Sequence, residues 1–336
     1  MMKILITGGL GFIGSNFIHY WISKHPDDFI FNLDNLTYAA NQDSLKDIET
    51  SANYKFIKGD ICDSALIDQL VPQADAIIHF AAESHVDRSI HDPLLFVKTN
   101  VLGTYTLLKA AHTFHTPRFH HISTDEVFGS IGLDSADQFT ESTPYSPSSP
   151  YSASKASADH FVRAFSKTFN LPITITNCSN NYGPYQHPEK FIPRVITNLI
   201  DGHKIPVYGQ GLNLRDWLFV EDHCSAIEAV FLNGVIGQTY CVGGLKGGTR
   251  NIDIVKTLLK IFKLDDSWIE FVPDRPAHDN YSVDWSKIQQ ELHWQPKYDL
   301  ESGLKATVDW YKANEPWWRA AKVEAEKFYQ KLNQPK

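Results

Sequence analysis

The sequence predicts an α/β fold, a doubly wound parallel sheet of Rossmann type with a smaller C-terminal lobe, and three observations carry that prediction. Short apolar strands alternate with amphipathic stretches through the first half, a glycine-rich turn follows the first strand directly, and the alternation fades after residue 177. In chain order, Lys3–Thr7 is a buried strand stopped by Gly8-Gly9, Phe12–Lys24 a helix, Phe29–Leu33 a second strand and Lys55–Lys58 a third. Ala65–Leu70 then reads as a helix, Ala76–Phe80 as a strand, Thr99–Phe114 as a long helix, Arg118–Ile122 as a strand, Tyr151–Phe169 as a helix and Ile173–Thr176 as a strand. Strands that alternate with helices pair in parallel, joined by right-handed crossovers that cover both faces. Pro/Gly-rich segments dominate from Tyr182 to Gly211, and the later helices, Asp222–Phe231, Ile252–Phe262 and Leu304–Asn314, follow without a Gly/Ser or Pro-rich linker. Two lobes sharing an interface are expected, 1–177 and 178–336, with chain crossings from the second back to the first. Glu315-Pro316-Trp317-Trp318 opens a helix or a tail.

At roughly 150 residues per domain, 336 residues suffice for about two domains, which excludes a peptide hormone or a disulfide-stapled module. With 43% hydrophobic, 12% aromatic and 21% charged residues the chain is globular. Its formal charge of −8 leaves no global positive field for nucleic acid or an anionic membrane, so an anionic substrate needs a local pocket of cations. Cys62, Cys178, Cys224 and Cys241 have no C-x-x-C spacing, and a reducing, cytoplasmic setting is expected. Ile4-Leu5-Ile6 is too short for a signal core, and no run approaches the roughly 18 apolar residues of a membrane span. The 15 histidines show no ligand spacing, with His120 and His121 on opposite faces of one strand, so no metal is expected.

Gly8-Gly9-Leu10-Gly11-Phe12-Ile13-Gly14 joins the first strand to the first helix and satisfies G-x-G-x-x-G. Such glycines allow a tight turn, let backbone N–H groups approach a pyrophosphate at the helix N-terminus, and let helix and sheet pack closely. Asp34 ends the second strand about 20 residues farther on, where a carboxylate binds a ribose 2′-hydroxyl and repels a 2′-phosphate, favouring NAD over NADP. Asp60, at the end of the third strand, is either a partner for the adenine amino group or a cap for the next helix.

A tyrosine acts as a base when a neighbouring ammonium, one helical turn away, favours its phenolate. Four Tyr-x-x-x-Lys pairs occur. Tyr20/Lys24 and Tyr105/Lys109 lie within sheet-covering helices and Tyr54/Lys58 on a strand, so these read as structural. Tyr151/Lys155 differs: Ser149-Pro150 reads as N-cap and N1, which places the tyrosine beside the carboxyl edge of the sheet, where ligands of open α/β sheets bind. Ser123-Thr124-Asp125-Glu126 reaches the same edge. Adjacent carboxylates repel, so one holds a proton while the other stays ionised, and the pair supplies an acid and a base.

With these residues assembled, the chain resembles the extended short-chain dehydrogenase/reductase superfamily and, within it, the dTDP-glucose 4,6-dehydratases. The resemblance spans nearly the whole chain, through the glycine loop, Asp34-Asn35-Leu36-Thr37-Tyr38-Ala39, Phe80-Ala81-Ala82-Glu83-Ser84-His85, Thr99-Asn100-Val101, Thr124-Asp125-Glu126, Tyr151-Ser152-Ala153-Ser154-Lys155, Asn180-Asn181-Tyr182-Gly183-Pro184, Glu189-Lys190-Phe191-Ile192-Pro193 and Arg215-Asp216-Trp217. The resemblance implies that Tyr151 takes the C4 hydroxyl proton of a nucleotide sugar as hydride moves to NAD, that Lys155 tunes the tyrosine and binds the nicotinamide ribose, and that Thr124 holds the same oxygen. Glu126 would then remove the C5 proton, Asp125 would protonate the departing C6 hydroxyl, and hydride would return to C6. It likewise implies NAD contacts from Gly8, Gly11, Phe12, Ile13, Gly14, Asp34, Asn35, Thr37, Asp60, Ile61, Phe80, Ala81, Ala82, Thr99 and Asn181, and substrate contacts from Ser84, Asn180, Lys190, Phe191, Pro206, Tyr208, Arg215, Asn251, Arg275 and His278. A homodimer through Thr99–Phe114 and Tyr151–Phe169 is implied too. Phe128 stands where the family usually has tyrosine, and the segments around Asp274–Asn280 and Leu245–Arg250 depart from the family pattern, which leaves UDP-, GDP- or CDP-hexoses open beside a dTDP-hexose. An epimerase or decarboxylase of the same fold, or a non-catalytic NAD-binding regulator, stands as the alternative.

Overall fold

The computed structural model describes residues 1–132, 135–244, 248–273 and 279–332. Its centre is a seven-stranded parallel sheet of β1 (Lys3–Thr7), β2 (Phe29–Asp34), β3 (Tyr54–Lys58), β4 (Ala76–His79), β5 (Phe119–Thr124), β6 (Ile173–Cys178) and β11 (Thr239–Val242), in the order β11-β6-β5-β4-β1-β2-β3. All four residues of β4 and all six of both β5 and β6 are buried, as expected for strands covered on both faces. On one face α2 (Ser64–Leu70), α5 (Thr104–Thr113) and α6 (Pro150–Phe169) bury Ile67, Leu107, Leu108 and Val162 against Leu5, Ile77 and Ile175. On the other, α1 (Phe12–Lys24) and α8 (Val220–Asn233) bury Phe17, Trp21, Ile227 and Phe231 against Ile4, Ile6 and Ile30. Strand order reverses between β1 and β4, so the crevice at their carboxyl ends is the topological switch point.

The first-half elements form within two residues of their expected ends, with one exception. The expected helix Thr99–Phe114 starts earlier and changes type. After α3 (Val86–His91) and α4 (Pro93–Phe96), residues Val97–Gly103 wind as a π-helix before α5 begins. Side-chain periodicity does not distinguish one wider turn from α-helix, and such turns often occur at functional sites. Gly103 ends it, and a Cβ there would come within 2.4 Å of Ile61 Cδ1. The start of α6 matches the expected capping: Ser149 accepts the Ser152 N–H at 3.1 Å, Ser152 Oγ accepts the Ser149 N–H at 2.9 Å, and Pro150 opens the helix.

The remaining chain builds a second core. Short ladders pair β7 (Asn180–Tyr182) with β10 (Trp217–Phe219), β8 (Ile205–Tyr208) with β13 (Ile269–Val272) and β9 (Leu214–Arg215) with β12 (Thr249–Arg250). Around them α7 (Phe191–Ile200), α9 (Asn251–Phe262) and α11 (Leu300–Ala313) bury Val195, Ile196, Leu258, Val308 and Tyr311, while α10 (Ser286–Leu292) packs beside β11. The Glu315-Pro316-Trp317-Trp318 segment opens a helix, α12 (Glu315–Leu332). It ties the regions together: Trp318 is fully buried in the second core, and Trp317 Nε1 donates to Ser44 Oγ at 3.1 Å.

Buried imidazoles carry a cost that pH reveals. His223, on α8, is fully buried, and neither ring nitrogen has a hydrogen-bond partner among the described residues. Burial lowers its pKa to about 3, so the folded state holds it neutral. Because that value lies below the unfolded one, its contribution to stability is present near neutral pH and is lost as pH falls from about 6.5 toward 3. His223→Leu removes a buried unpaired polar group, so we expect about 1–3 kcal/mol of added stability at pH 7 and a shallower loss between pH 6.5 and 4. Urea titrations at several pH values measure both; an unchanged acid slope would contradict the assignment.

Candidate active site

Two adjoining clefts run along the carboxyl edge of the sheet. The larger, about 310 Å³, is lined by every residue expected to hold the cofactor, from Gly8, Gly11, Phe12, Ile13 and Gly14 through Asp34, Asn35 and Thr37, Asp60 and Ile61, and Phe80, Ala81 and Ala82 to Thr99, Tyr151, Lys155 and Asn181. The smaller, about 220 Å³, is lined by Ser84, Asn180, Lys190, Phe191, Pro206, Tyr208, Arg215 and Asn251. Glu126 lines both, with Ser84, Asn180, Asn181, Gln186, Glu189 and Lys190, so it stands at their junction. Arg275 and His278 lie outside the described residues, as do Leu245–Gly247 and the rest of 274–278.

The larger cleft fits a dinucleotide on the structure's own evidence. The N-terminus of α1 has no side-chain cap and no acidic residue in its first turn, so its backbone N–H groups face the cleft uncompensated. Gly8 has φ +75°, and a Cβ there would come within 2.6 Å of the Ala81 backbone; one at Gly14 would come within 2.3 Å of Gly8 O. At Gly11 the nearest atom is Gly8 O at 3.3 Å, which leaves room for a ligand. Asp34 accepts N–H bonds from Leu10 and Leu36, both at 2.9 Å, and so braces the loop from the end of β2 while lining the cleft. Asp60 accepts from Cys62 N–H at 2.8 Å, and the cap of α2 is instead Asp63.

At the end of β5, Thr124 Oγ1 donates to Asp125 Oδ1 at 3.3 Å and accepts the Glu126 N–H at 3.3 Å. Asp125 is 1% exposed and lines neither cleft; burial first, then the charge of Glu126 and that of Asp216, push its carboxyl well above the usual range. That shift favours its protonated, proton-donating form. Lys155 donates to the Ile122 carbonyl at 2.7 Å, and its Nζ lies 3.4 Å from His121 Nε2, which in turn lies 3.2 Å from Asp159 Oδ1. The other oxygen of Asp159 accepts from Tyr145 Oη at 2.7 Å, Ser123 Oγ at 2.8 Å and Asn177 Nδ2 at 3.3 Å. Burial works to raise the Asp159 carboxyl, but the His121 hydrogen bond and charge, Lys155 and Tyr145 outweigh it and hold it at about 2.

The tyrosine's electrostatics differ from expectation. The Lys155 amine faces the Ile122 carbonyl, and burial, followed by the charge of Glu126, raises the Tyr151 phenol well above its ordinary value. Spacing alone aligned the pair without showing where the amine turns. Phe128 also departs from expectation: its ring packs 5.3 Å from both Phe139 and Tyr145 in a buried cluster and lines neither cleft. Sequence reasoning missed Glu189, although it took the adjacent Lys190. Glu189 lines both clefts, accepts from Tyr38 Oη at 3.1 Å and lies 3.4 Å from an Arg88 nitrogen. Tyr281 was missed too; its ring lies 4.5 Å under the Arg215 guanidinium.

Asp159→Asn tests the brace behind Lys155. At pH 7 His121, which burial lowers to about 4, is neutral, so the variant loses hydrogen bonds to a buried carboxylate and urea unfolding should show a loss of about 1.5–3 kcal/mol. Because the folded-state value is depressed, the wild-type contribution is present above about pH 4 and lost toward pH 2, a dependence that the variant should lack. A loss below about 1 kcal/mol would show that the brace carries no weight.

Residues 5–307 match the sequence family described as GDP-mannose 4,6 dehydratase. A dTDP-glucose 4,6-dehydratase of Mycobacterium tuberculosis (strain CDC 1551 / Oshkosh) is 50% identical, covering 99% of this chain and 100% of that protein, and one of Escherichia coli is 49% identical over 95% and 96%. The crystal structure of the Streptomyces venezuelae dTDP-glucose 4,6-dehydratase, with NAD bound, superposes with a TM-score of 0.91 at 45% identity over 96% of this chain and 100% of that one. The Bacillus anthracis enzyme in complex with NAD gives 0.89 at 44% identity, over the same shares. The two clefts, the glycine loop and the Thr-Asp-Glu and Tyr/Lys sets thus stand in a chain that belongs to the dTDP-glucose 4,6-dehydratase family of extended short-chain dehydrogenase/reductases.

Proposed function

We propose that this chain is an NAD-dependent hydro-lyase that converts dTDP-glucose to dTDP-4-keto-6-deoxyglucose. The observation that carries the reading is that Glu126 stands where the two clefts meet, beside Thr124 and Tyr151, so redox and elimination chemistry share one carbon skeleton. NAD, when bound, supplies a positively charged hydride acceptor that takes hydride from C4 and gives it back at C6. With the positive charge of bound NAD beside it to favour the phenolate, Tyr151 would accept the C4 hydroxyl proton, and Thr124 would hold that oxygen. The resulting ketone acidifies C5, from which Glu126 removes a proton. Asp125, kept protonated by burial, gives its proton to the departing C6 hydroxyl. Lys155 holds the nicotinamide ribose, Asp34 the adenosine ribose hydroxyls, and the uncapped N-terminus of α1 the pyrophosphate. Lys190 and Arg215 supply the local positive charge that a sugar nucleotide needs in a chain of net charge −8, with Ser84, Asn180 and Asn251 as further contacts and Arg275 and His278 completing the set.

The division into an NAD lobe, 1–177, and a mainly substrate-binding lobe, 178–336, belongs to the same reading. Residues 220–242 cross back, since α8 packs on α1 and β11 pairs with β6. A homodimer is supported by exposed Leu94, Val97, Leu102, Tyr105 and Phe161 on the α4–α6 side, a row of large apolar side chains that a second copy would bury. A cytoplasmic setting fits the four free cysteines. Purified protein incubated with dTDP-glucose should yield a product lighter by one water, without added reductant. Glu126→Gln should lower dehydration by at least about a hundredfold while C4 oxidation persists. No turnover of dTDP-glucose by the wild type, or unimpaired water loss in the variant, would contradict the reading.

A further inference from the structure

The smaller cleft, which the functional reading gives to a nucleoside diphosphate, is lined by a carboxylate as well as by cations. Glu189 lines both clefts, as does Lys190 beside it, and the Glu189 side chain is 1% exposed. A charged carboxylate in that place repels phosphate and is costly to bury unless its charge is met. Two other segments meet it. Tyr38 Oη, from the loop after β2, donates to Glu189 Oε1 at 3.1 Å. Arg88, on α3, brings a guanidinium nitrogen to 3.4 Å from Oε2 and lays its guanidinium 3.6 Å from the centre of the Tyr38 ring. His85 and His187 come within 4.0 and 3.9 Å of the carboxylate, yet each ring uses a nitrogen as an acceptor. His85 Nδ1 takes the Arg88 N–H at 3.4 Å, and His187 Nδ1 takes the Glu189 N–H at 3.3 Å. An accepting nitrogen carries no proton, so both rings are neutral and the guanidinium brings the positive charge. Lys190 turns elsewhere: its Nζ donates to the Ser84 carbonyl at 3.1 Å, a neutral partner that leaves the ammonium charge for a ligand.

Resting on that reading, we propose that Arg88 is a positioning residue for the nucleotide diphosphate: it pairs with Glu189, so that the carboxylate's charge is cancelled within the protein and Lys190 keeps its own for the phosphates. Arg88 lines neither cleft, so its influence on a ligand passes through Glu189. The pair also sets geometry. Glu189 directly precedes Lys190, the N-cap of α7, whose N–H donates to the His187 carbonyl at 3.0 Å. Ser84, which receives the Lys190 ammonium, lies two residues before the start of α3. Fixing the Glu189 carboxylate against α3 therefore fixes the turn from which Lys190 reaches over the cleft. Arginine suits the task because its planar group stacks on the Tyr38 ring while its edge meets the carboxylate.

The test is calorimetric titration of the NAD-loaded protein with dTDP and, by displacement, with thymidine, at about pH 8.5, where a carboxylate deprived of its cation is ionised. Arg88→Met should weaken dTDP binding at least about tenfold, and that of thymidine, which carries no phosphate, less than about twofold. Adding Glu189→Gln to Arg88→Met removes the repelling charge and should recover most of the lost dTDP affinity. If Arg88→Met does not fold, Arg88→Gln answers by the same comparison. Equal losses for dTDP and thymidine, or a double variant that binds dTDP no better than Arg88→Met, would mean that Arg88 only packs the turn and would overturn the inference. A wild type that binds dTDP yet makes no 4-keto sugar would overturn the functional reading alone, and one that does not bind dTDP would overturn both.

Discussion

The carboxylate of Asp159 is fully buried, and the surroundings of the catalytic edge are arranged to keep it charged. A charge in such a place is tolerated only when its lone pairs are met, and here the partners come from four segments: His121 and Ser123 on β5, Lys155 on α6 through His121, Asn177 on β6, and Tyr145 from the loop before α6. Those same segments carry Thr124, Tyr151 and Lys155. Asp159 lies one helical turn beyond Lys155 and two beyond Tyr151, so a single helix face presents phenol, amine and carboxylate in register with the strand ends. Asn177 adds a second tie, its side-chain amide donating to the Thr124 carbonyl at 3.0 Å.

Around this brace the groups are graded by burial. Asp125 is buried, which favours its protonated form, Glu126 lines both clefts, and Tyr151 and Lys155 line the cofactor cleft. Two carboxylates adjacent in sequence thus acquire different roles because a strand end turns one inward and leaves the other at the junction. On the proposed reading this is how one site performs oxidation and elimination in turn: the ketone made at C4, and kept in the product, forms beside the base that draws on it.

Much of this was legible in the sequence, for local reasons. β1 and α1 have the ends expected of them because glycines punctuate the turn between them, and α6 begins where Ser149-Pro150 said it would because capping is a matter of neighbouring residues. The reading failed where the deciding interaction is remote or is a matter of geometry. The π-helical turn at Val97–Gly103 shares the side-chain rhythm of a helix. The direction of the Lys155 amine is set by a carbonyl on another element, and Glu189 acquires its place by pairing with Tyr38 and Arg88, about 150 and 100 residues earlier in the chain. Phe128 was expected near the substrate because it stands where the family usually has tyrosine, but a positive φ of 96° at Gly129 marks a sharp bend, and the ring turns into the core. The ladders of two to four residues in the second lobe are too short for alternation to register.

The central claim is that oxidation at C4 and reduction at C6 occur on one bound molecule, with the acid and base of the elimination between them. Incubating the protein with an equal mixture of dTDP-[4-²H]glucose and a heavier, ¹³C-labelled but undeuterated substrate tests it directly by mass spectrometry of the products. Deuterium found at C6 only of the molecules that carried it at C4 is the predicted result; deuterium lost to water, or shared with the ¹³C-labelled product, would contradict it.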